Sequence, residues 1–464
     1  MATVLLINPS MVELYSNAIV KFSVPHYYPL NLLLIASPLH EAGHKVFLLD
    51  LQWSKEPLKV VGYKVKSLKP DYVGLTFTTP LYSQALAIAR VVKKVSPKTL
   101  VVAGGVHVST LPAETLKQAE IDIVVLGEGD FTLLEIIKAK NLQDVAGIAY
   151  NQARRIIFTK QRELLAPDEI PFPQLKLINV SSYRVPHTYC RTNPVATIET
   201  SRGCPYGCVY CNKSVFGHNF RAKSAERVVY ELKQLKNFGF REVHIADDGF
   251  TNDMERAAEI CKLIIKARLK LLLNCTNGIR ADRVSLDLLK LMKKAGFYRL
   301  SFGVESGSQH ILDNIHKGLK LSQVVQAFRW CRIARLETVA FFMLGLPGET
   351  KEDIKATIRF AKLLKPDIIK LSIMMPLPGT PIFNQLKQQH RLLSLKWDDY
   401  GFYKGKPVFK HEYLTWQELR HYEKLAYRSF YLSPSYITHR LIYSIRAGNL
   451  VNDIKLALKS KFLV

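Results

Sequence analysis

The first 140 residues alternate short apolar runs with longer segments of helical periodicity. The apolar runs predict strands buried on both faces, at Thr3–Asn8, Lys45–Asp50, Asp71–Thr76, Thr99–Ala103 and Asp122–Leu126. Helix-length segments separate them, near 30–42, 54–68, 82–95 and 111–119. Buried strands joined through helices form parallel sheets, so we predict a doubly wound, flavodoxin-like α/β domain over residues 1–140.

The pattern changes after residue 140. Two short runs, Ala146–Tyr150 and Arg155–Thr159, predict a hairpin, and Pro167, Pro171 and Pro173 follow. Proline has no backbone donor and favours turns and sheet edges. We therefore predict a linker and hairpin segment over residues 141–195.

A second strand–helix series begins near residue 196. Its predicted strands are Thr197–Thr200, Glu242–Ala246, Lys270–Asn274, Arg299–Gly303, Val339–Leu344 and Ile368–Ile373. Ser224 is a predicted helix N-cap, and Gly239 marks the end of that helix. Six units are too few for a closed eight-stranded barrel. They predict an open partial (β/α)6 barrel over 196–385, whose working residues lie at the carboxyl ends of its strands.

Residues 386–464 are predicted to be basic and helical. Their aromatic residues are Tyr422, Tyr427, Phe430, Tyr431, Tyr436 and Tyr443. We favour an amphipathic cap that packs these rings inward. Contact with the substrate or peripheral contact with a membrane are the alternatives.

Composition narrows the class of protein. The chain has 464 residues and 48% hydrophobic residues, which favours a packed protein of two or three domains. No apolar run reaches eighteen residues, so no transmembrane span is predicted. The N-terminus lacks secretion signals, and the 7 cysteines are an odd number. These features predict a cytoplasmic protein without a disulfide framework.

The net charge of +26 is unevenly distributed. Residues 1–150 hold 14 basic and 12 acidic side chains, so nearly all the excess lies in the rest. Such a charge favours acidic partners, either a negatively charged substrate or an anionic membrane face, although a lysine-coated surface is an equal alternative. Nucleic acid is not favoured, because no zinc-finger spacing, arginine-rich tract or RNA-binding aromatic motif accompanies the charge.

The strongest chemical signal is a cluster of three cysteines, Cys204, Cys208 and Cys211, within eight residues. Three thiolates with flanking glycines can hold three irons of a [4Fe–4S] cube and leave the fourth iron open. Zinc would need a fourth ligand, for which His218 is the only near candidate. A zinc site and a purely structural cluster are therefore less favoured.

The Cys-x3-Cys-x2-Cys motif after the first barrel strand resembles that of the radical S-adenosylmethionine superfamily. The resemblance implies a [4Fe–4S] cluster that cleaves S-adenosylmethionine into methionine and a 5′-deoxyadenosyl radical. Other positions at strand ends resemble the landmarks of that family, although Ala246-Asp247-Asp248 departs from the commoner Gly-Gly-Glu. The resemblance implies that S-adenosylmethionine is bound by Tyr210, Asp247, Asp248, Asn277, Arg280, Glu305 and Gly345.

The N-terminal domain resembles the cobalamin-binding domain of the B12-dependent branch of that superfamily. The resemblance rests on the Asn8-Pro9 start, the TFTTP loop, two glycine-rich turns and the later Pro-Leu-Pro-Gly-Thr segment. It implies cobalamin contacts from Asn8, Thr76, Thr78, Gly104, Gly105, His107, Gly127, Glu128 and Gly129. The loop after the first strand has no histidine, so cobalt would lack that ligand. His107 is expected to contact the nucleotide tail or solvent.

The resemblance implies a radical enzyme that methylates an unactivated carbon through methylcobalamin, with an external electron donor and a small-molecule substrate. Two alternatives remain open. One is cyclisation or rearrangement with the same cofactors and without methyl transfer. The other is a non-catalytic protein that binds an iron–sulfur cluster or cobalamin. A methylthiotransferase is less favoured, because no cysteine precedes Cys190.

Overall fold

The computed structural model describes residues 1–14, 24–153, 155–401 and 405–446. Its first sheet contains five parallel strands in the order β2-β1-β3-β4-β5, as in a flavodoxin-like domain. The strands are β1 (Thr3–Asn8), β2 (Lys45–Asp50), β3 (Tyr72–Thr76), β4 (Leu100–Gly104) and β5 (Ile123–Val125). They agree with the predicted strands to within one residue at every end.

Helices cover this sheet because its strands are apolar on both faces. They are α1 (Leu30–Glu41), α2 (Pro57–Leu68), α3 (Tyr82–Val95), α4 (Val106–Thr110), α5 (Pro112–Leu116) and α6 (Thr132–Lys138).

The hairpin belongs to the N-terminal sheet and is not part of a linker. β6 (Ile148–Gln152) pairs antiparallel with β5, and β7 (Arg155–Phe158) pairs antiparallel with β6. Ile148, Ala149 and Tyr150 are buried, so β6 extends the apolar core of the sheet. Short 3-10 turns at Pro167–Glu169, Leu175–Leu177 and Val180–Ser182 then lead to the second sheet.

The second sheet is entirely parallel, and its strands follow one another in chain order. They are β8 (Val195–Ile198), β11 (Glu242–Ile245), β12 (Leu272–Ile279), β13 (Phe297–Glu305), β14 (Glu337–Leu344) and β15 (Ile368–Ile373). Consecutive parallel strands with right-handed crossovers curve into a barrel wall. The predicted partial barrel of six units is confirmed.

Amphipathic helices form the outer layer of this barrel. They are α7 (Ala225–Asn237), α8 (Met254–Lys266), α9 (Leu286–Ala295), α10 (Gln309–Asn314), α11 (Leu321–Ile333), α12 (Lys351–Leu364) and α13 (Pro381–Gln388). The Ser224 hydroxyl accepts the Arg227 N–H and begins α7, and Gly239 has a φ of 93° just after this helix ends. Both end signals read from the sequence are confirmed.

Tyrosine hydroxyl groups satisfy the two free edges of the open barrel. At β8, the Tyr28 hydroxyl accepts the Thr197 N–H at 3.0 Å and donates to its carbonyl at 2.7 Å. At β15, the Tyr427 hydroxyl bonds in the same way to the N–H and carbonyl of Leu371, at 2.9 Å. The Tyr431 hydroxyl bonds to those of Ile369, at 3.1 Å. Each hydroxyl takes the place of a missing neighbouring strand at one residue, so Thr197, Ile369 and Leu371 are not left open to another chain.

In the described part of the C-terminal region, long helices begin at Trp416. Residues 389–401 and 405–415 are largely irregular, with a 3-10 turn at Trp397–Asp399 and a bridge between Leu392 and Phe409. α14 (Trp416–Tyr431) and α15 (Pro434–Arg446) follow. Phe430, Tyr431 and Tyr436 pack on the barrel core, as the capping interpretation predicted, whereas the Tyr443 side chain lies outside the described residues.

Candidate active site

The cysteine loop is an excursion between two short paired strands, β9 (Ser201–Arg202) and β10 (Arg221–Ala222). It leaves the carboxyl end of β8. Gly203 begins it with a φ of 78°, and a Cβ there would lie 2.3 Å from the Asn219 carbonyl oxygen. Only glycine fits this approach. The Cys211 N–H donates to the Cys208 carbonyl at 3.1 Å, which closes the tight turn between these ligands.

The three loop cysteines differ from the other four. Cys204, Cys208 and Cys211 are half-buried, while Cys190, Cys261, Cys275 and Cys331 are fully buried. Burial raises the pKa of Cys190 and Cys261 to about 12. A hydrogen bond from Cys211 and the charge of Lys317 lower the pKa of Cys208 to about 6, and the same hydrogen bond raises the pKa of Cys211. Thiolates are the form that binds iron, so the half-buried loop with its acidic Cys208 suits a cluster better than the fully buried thiols do.

Among the described residues, no three His, Cys, Asp or Glu side chains are arranged to hold one metal ion. His218 belongs to no such group.

A buried ion pair lies behind the loop. The Lys317 ammonium donates to the Glu305 carboxylate at 2.8 Å and to the Tyr210 hydroxyl at 3.3 Å. Glu305 ends β13 with a φ of 67°, which is rare for a residue with a side chain. Glu305 and Tyr210, two predicted ligands of S-adenosylmethionine, are thus joined through Lys317. No pattern in the sequence pointed to this lysine.

The two aspartates after β11 have different environments. Asp247 is buried and accepts hydrogen bonds from the Thr200 N–H and from the Thr200 and Ser201 hydroxyls, at 2.5–2.7 Å. It is fully used in holding the end of β8. Asp248 reaches solvent and has no hydrogen bond within the described chain. Protein atoms crowd around it and raise its pKa, while Lys213 lowers it. Asp248 is therefore the carboxylate available to a ligand.

Asn277, near the end of β12, and Arg280, directly after this strand, also differ in availability. The Arg280 guanidinium donates to Asp282, Lys317 and Gly318 at 2.6–3.0 Å, and it stacks 3.6 Å from the centre of the Tyr206 ring. These bonds use four of its five N–H donors, and its predicted contact with ribose or carboxylate stays a prediction. Its role here is to support the cysteine loop, which contains Tyr206. Asn277 is exposed and donates to the Ala246 carbonyl at 2.6 Å, beside Asp248.

A buried acid closes the turn after β14. Gly345 and Leu346 donate their N–H groups to the Glu349 carboxylate at 2.5 and 3.3 Å. Burial raises the pKa of Glu349 to about 8, despite these bonds. Gly345 has a φ of 74°, and its N–H is already used in the turn.

At the edge of the N-terminal sheet, several predicted cobalamin contacts remain accessible. Asn8 donates to Asp50 at 2.9 Å, Thr76 accepts from Asn31, and Thr78 is exposed. Gly104 and Gly127 are half-buried at the ends of β4 and β5. A Cβ on Gly105 would lie 2.8 Å from the Phe77 carbonyl oxygen, so this glycine permits close packing of two loops. A Cβ on Gly129 would lie 3.3 Å from Val125.

His107 has no exposed surface, contrary to the expectation for a histidine that contacts solvent. Its ring lies among Phe77, Tyr82 and Trp397, and its Nδ1 is 3.1 Å from the Thr79 hydroxyl. Burial lowers its pKa to about 4. The irregular C-terminal segment, through Trp397, provides the ring that covers it, and this long-range packing could not be predicted from the local sequence.

Glu128 is an ion-pair residue between the two domains, not a free ligand. It pairs with Arg221, and the neighbouring Asp130 binds the Arg202 guanidinium through both oxygens at 2.7 and 2.9 Å. Arg202 also pairs with Glu199. Arg202 directly precedes the cysteine loop. We call Glu128, Asp130, Glu199, Arg202 and Arg221 the interdomain clamp.

A second contact joins the edge of the N-terminal sheet to the cysteine loop. The Thr110 hydroxyl of α4 lies 2.9 Å from the Ser214 hydroxyl and 3.0 Å from the Asn212 amide nitrogen. Asn212 also donates to the Pro378 carbonyl at 2.8 Å. The carboxyl edges of the two sheets therefore meet around the cysteine loop.

The barrel lumen is open at the end that carries the cysteine loop. Inward positions such as Thr276, Phe341, Met343 and Lys370 retain solvent exposure. Their outward neighbours are buried against the outer helices; examples are Cys275, Ala340, Phe342, Ile369 and Leu371.

At the amino end the lumen is closed by a buried polar network. His244 contacts the Tyr27 hydroxyl at 2.7 Å and Glu242 at 2.8 Å, and Tyr298 donates to Glu242 at 2.5 Å. Arg299 donates to Glu337 at 2.9 Å. We call Glu242, His244, Tyr298, Arg299 and Glu337 the floor of the lumen.

Comparison with known proteins identifies the two halves. The model of the radical SAM superfamily matches residues 198–361, and that of the B12 binding domain matches residues 18–137. An uncharacterized methyltransferase of Pyrococcus horikoshii, PH0819, is 33% identical over 414 residues, which cover 88% of each chain. The chain belongs to the cobalamin-dependent radical S-adenosylmethionine methyltransferase family. The cofactors of this radical enzyme are a [4Fe–4S] cluster, S-adenosylmethionine and cobalamin, and the alternative of a non-catalytic protein is set aside.

Other relatives of this enzyme show the breadth of the family. The anaerobic magnesium-protoporphyrin IX monomethyl ester cyclase of Cereibacter sphaeroides is 30% identical, with coverage of 80% of this chain and 61% of the cyclase. Two solved structures share the fold. TsrM of Kitasatospora setae, with cobalamin and a [4Fe–4S] cluster bound, has a TM-score of 0.69, 21% identity, and coverage of 84% of this chain and 78% of TsrM. OxsB, with aqua-cobalamin and S-adenosylmethionine bound, has a TM-score of 0.74, 20% identity, and coverage of 92% of this chain and 66% of OxsB.

In the part of this enzyme that the structure describes, no helix is long and apolar enough to cross a membrane.

Proposed function

We propose that this enzyme transfers a methyl group to an unactivated carbon of a small-molecule substrate. The observation that carries the proposal is the contact between the edge of the N-terminal sheet and the cysteine loop, through Thr110, Ser214 and Asn212. A methyl carrier and a radical source must reach the same substrate atom. The interdomain clamp supports this arrangement, because it ties the turn after β5 to the residue before the loop.

When bound, the cofactors supply a carbon-centred radical from S-adenosylmethionine and a methyl group on cobalamin. Cys204, Cys208 and Cys211 would hold the cluster. Asp248 is proposed to accept the amino group of S-adenosylmethionine, and Asn277 lies beside it. Lys317 would hold Tyr210 and Glu305 in place behind the loop. The barrel wall and floor would exclude water from the reacting centre.

The partners and location follow from the same interpretation. We propose a small-molecule substrate, an external electron donor and a cytoplasmic location. Nucleic acid is not proposed as a partner. Peripheral membrane contact of the basic C-terminal region stays a secondary proposal, since the rings of α14 are used in packing on β15.

Radical cyclisation or rearrangement is the second candidate reaction. The observation that favours it is the 30% identity to a protein named as a cyclase. That reaction would use the same loop and lumen without transferring a methyl group.

Methyl-deuterated S-adenosylmethionine separates the two candidates. Methyl transfer requires two molecules of S-adenosylmethionine per turnover. The anaerobically reconstituted enzyme is supplied with an extract of the cells that make it, as the source of its substrate. It should form S-adenosylhomocysteine and 5′-deoxyadenosine in about equal amounts, with deuterium in the product.

Two variants serve as controls for this measurement. Cys208→Ala should form no S-adenosylhomocysteine, no 5′-deoxyadenosine and no deuterated product. Cys331→Ala, which replaces a buried thiol on α11, should behave as the wild type. Product that contains no deuterium, formed with 5′-deoxyadenosine alone, would establish the second candidate and reject methyl transfer.

A further inference from the structure

Lys370 has a position unlike that of the other charged groups in the lumen. It lies on β15 opposite Phe341 of β14, and the flanking residues Ile369 and Leu371 point outward into the core. Its side chain therefore projects into the lumen, where it retains solvent exposure. Three residues separate it from the end of β15, which places it roughly 10 Å below the rim.

Aromatic rings flank the Lys370 ammonium group. Its nitrogen lies 4.7 Å from the centre of the Tyr189 ring and 5.5 Å from that of Phe341. Ring faces attract a cation weakly compared with a carboxylate. No described carboxylate pairs with Lys370, whereas Arg299 and Arg191 nearby both pair with Glu337.

The acids at the floor of the lumen already have partners. Arg299 is the cation that acts on Lys370, and Glu337 pairs with Arg299 and with Arg191. Hydrogen bonds from His244 and Tyr298 lower the pKa of Glu242 in spite of its burial, and burial lowers the pKa of His244. Glu242 is thus bonded within the floor, and a neutral His244 adds no charge of its own.

We propose that Lys370 is the anion-binding residue of the substrate cavity, and that the substrate carries a carboxylate or phosphate group that pairs with it. This proposal rests on the proposed function, because it assigns the lumen to the substrate. The rings of Tyr189 and Phe341 would pack on the carbon skeleton next to the anionic group. A desolvated ion pair of this kind orients a substrate as well as binding it.

The neighbourhood of Lys370 supports a ligand that arrives with negative charge. Burial among protein atoms, followed by the charge of Arg299, lowers the pKa of Lys370 to about 8. An anion would reverse this effect, since an opposite charge favours the ammonium form.

Competitive acylation tests this site without knowledge of the substrate. The reconstituted holoenzyme is treated with trace deuterated acetic anhydride at pH 7.5, with and without inorganic phosphate or methylphosphonate, and the acylation of each lysine peptide is measured by mass spectrometry. Lys370 should react readily and be protected at least about fivefold by saturating anion, because the pair blocks the free amine. Lys293 is the matched control, since burial also lowers its pKa but it lies on the outer helix α9.

The same experiment distinguishes the two anionic groups. Protection at lower concentration by phosphate and methylphosphonate indicates a phosphate group, and protection at lower concentration by propionate indicates a carboxylate. The Lys370→Arg variant should lose the labelled peptide, which assigns the protected signal to Lys370.

Equal protection of Lys370 and Lys293, or a Lys370 amine that does not react at all, would overturn the proposal. Transfer of the deuterated methyl group is measured separately. An enzyme that transfers the label without an anion site at Lys370 would reject this inference alone and leave the proposed function standing.

Discussion

The two ends of the barrel lumen use polar residues in opposite ways. At the floor, Glu242, His244 and Tyr298 are bonded to one another and sealed from water. At the open end, Asp248 and the loop cysteines stand half-exposed or exposed with few partners. Buried polar groups have to be satisfied, while groups that bind ligands must stay available. The difference indicates that the floor has a structural role and that the open end binds the ligands.

Loss of one loop cysteine, at the open end, should have the largest effect on the cluster and on activity. Cys208→Ala removes a thiolate that no other described side chain can replace. We expect loss of the cluster absorbance and less than about 1% of the reductive cleavage of S-adenosylmethionine, with little change in folding. Absorbance near 410 nm and the yield of 5′-deoxyadenosine measure these outcomes. Cys275→Ala, deep in the core, is the comparison; loss of the cluster there and not at Cys208 would contradict the assignment.

The interdomain clamp should show the next largest effect. Arg202→Met leaves Asp130 buried without its partner, and removal of one member of a buried ion pair costs about 3–5 kcal/mol. Denaturant unfolding measures this loss. The double variant Arg202→Met/Asp130→Leu should recover part of it, because the unpaired charge of Asp130 is removed and only Glu199 is left without Arg202. A single variant as stable as the wild type would show that the clamp does not stabilise the pairing of the domains.

Glu349 gives a pH-dependent effect near the open end. Its pKa is about 8 in the folded chain, against about 4.5 when unfolded. Between these values the folded state holds the proton and the unfolded state does not, so stability falls as pH rises. The loss from pH 5 to 8 should be roughly 3 kcal/mol, at about 1.4 kcal/mol per unit.

The variant Glu349→Gln isolates this effect. Its amide oxygen can still accept from Gly345 and Leu346, and it has no proton to lose. Unfolding midpoints at several pH values should therefore change much less in the variant. A wild type whose stability is equally flat over this range would contradict the account of Glu349.

A substitution in the floor should give the smallest effect. Glu242→Gln keeps the volume but places an amide group among the Arg191 and Thr192 N–H donors, which now bond to the carboxylate at 2.8 Å. We expect a loss of about 1–3 kcal/mol in unfolding free energy, with the cluster and the cleavage of S-adenosylmethionine retained. Loss of the cluster without loss of stability would break the distinction between the two ends.

The strands and helix ends could be predicted well from the sequence, because strand periodicity and cap residues are local signals. Every strand of both parallel sheets and the motif of Cys204, Cys208 and Cys211 could be found in this way. Long-range pairing could not. Three contacts join segments that are far apart in the chain. Trp397 covers His107, Arg221 pairs with Glu128, and the Arg280 guanidinium stacks on the Tyr206 ring.

Residues such as Lys317 and Lys370 were missed for the same reason. Each looks like an ordinary charged residue in the sequence, beside Gly318 or within a strand of alternating pattern. Only the folded chain brings Lys317 to Glu305 and Tyr210. The ring of Phe341 reaches Lys370 through the pairing of β14 with β15, and the ring of Tyr189 reaches it from the segment before β8. The same limit applied to the hairpin, whose pairing with β5 joins it to the first sheet.

The central claim is that the N-terminal sheet and the cysteine loop serve one cavity. Electron spin relaxation of cob(II)alamin in the reconstituted enzyme tests it most directly. Reduction of the cluster to its paramagnetic state should speed this relaxation by magnetic coupling between nearby centres, and Cys208→Ala should abolish the effect. Relaxation that is identical with the cluster reduced, oxidised or absent would place the two centres apart and contradict the account.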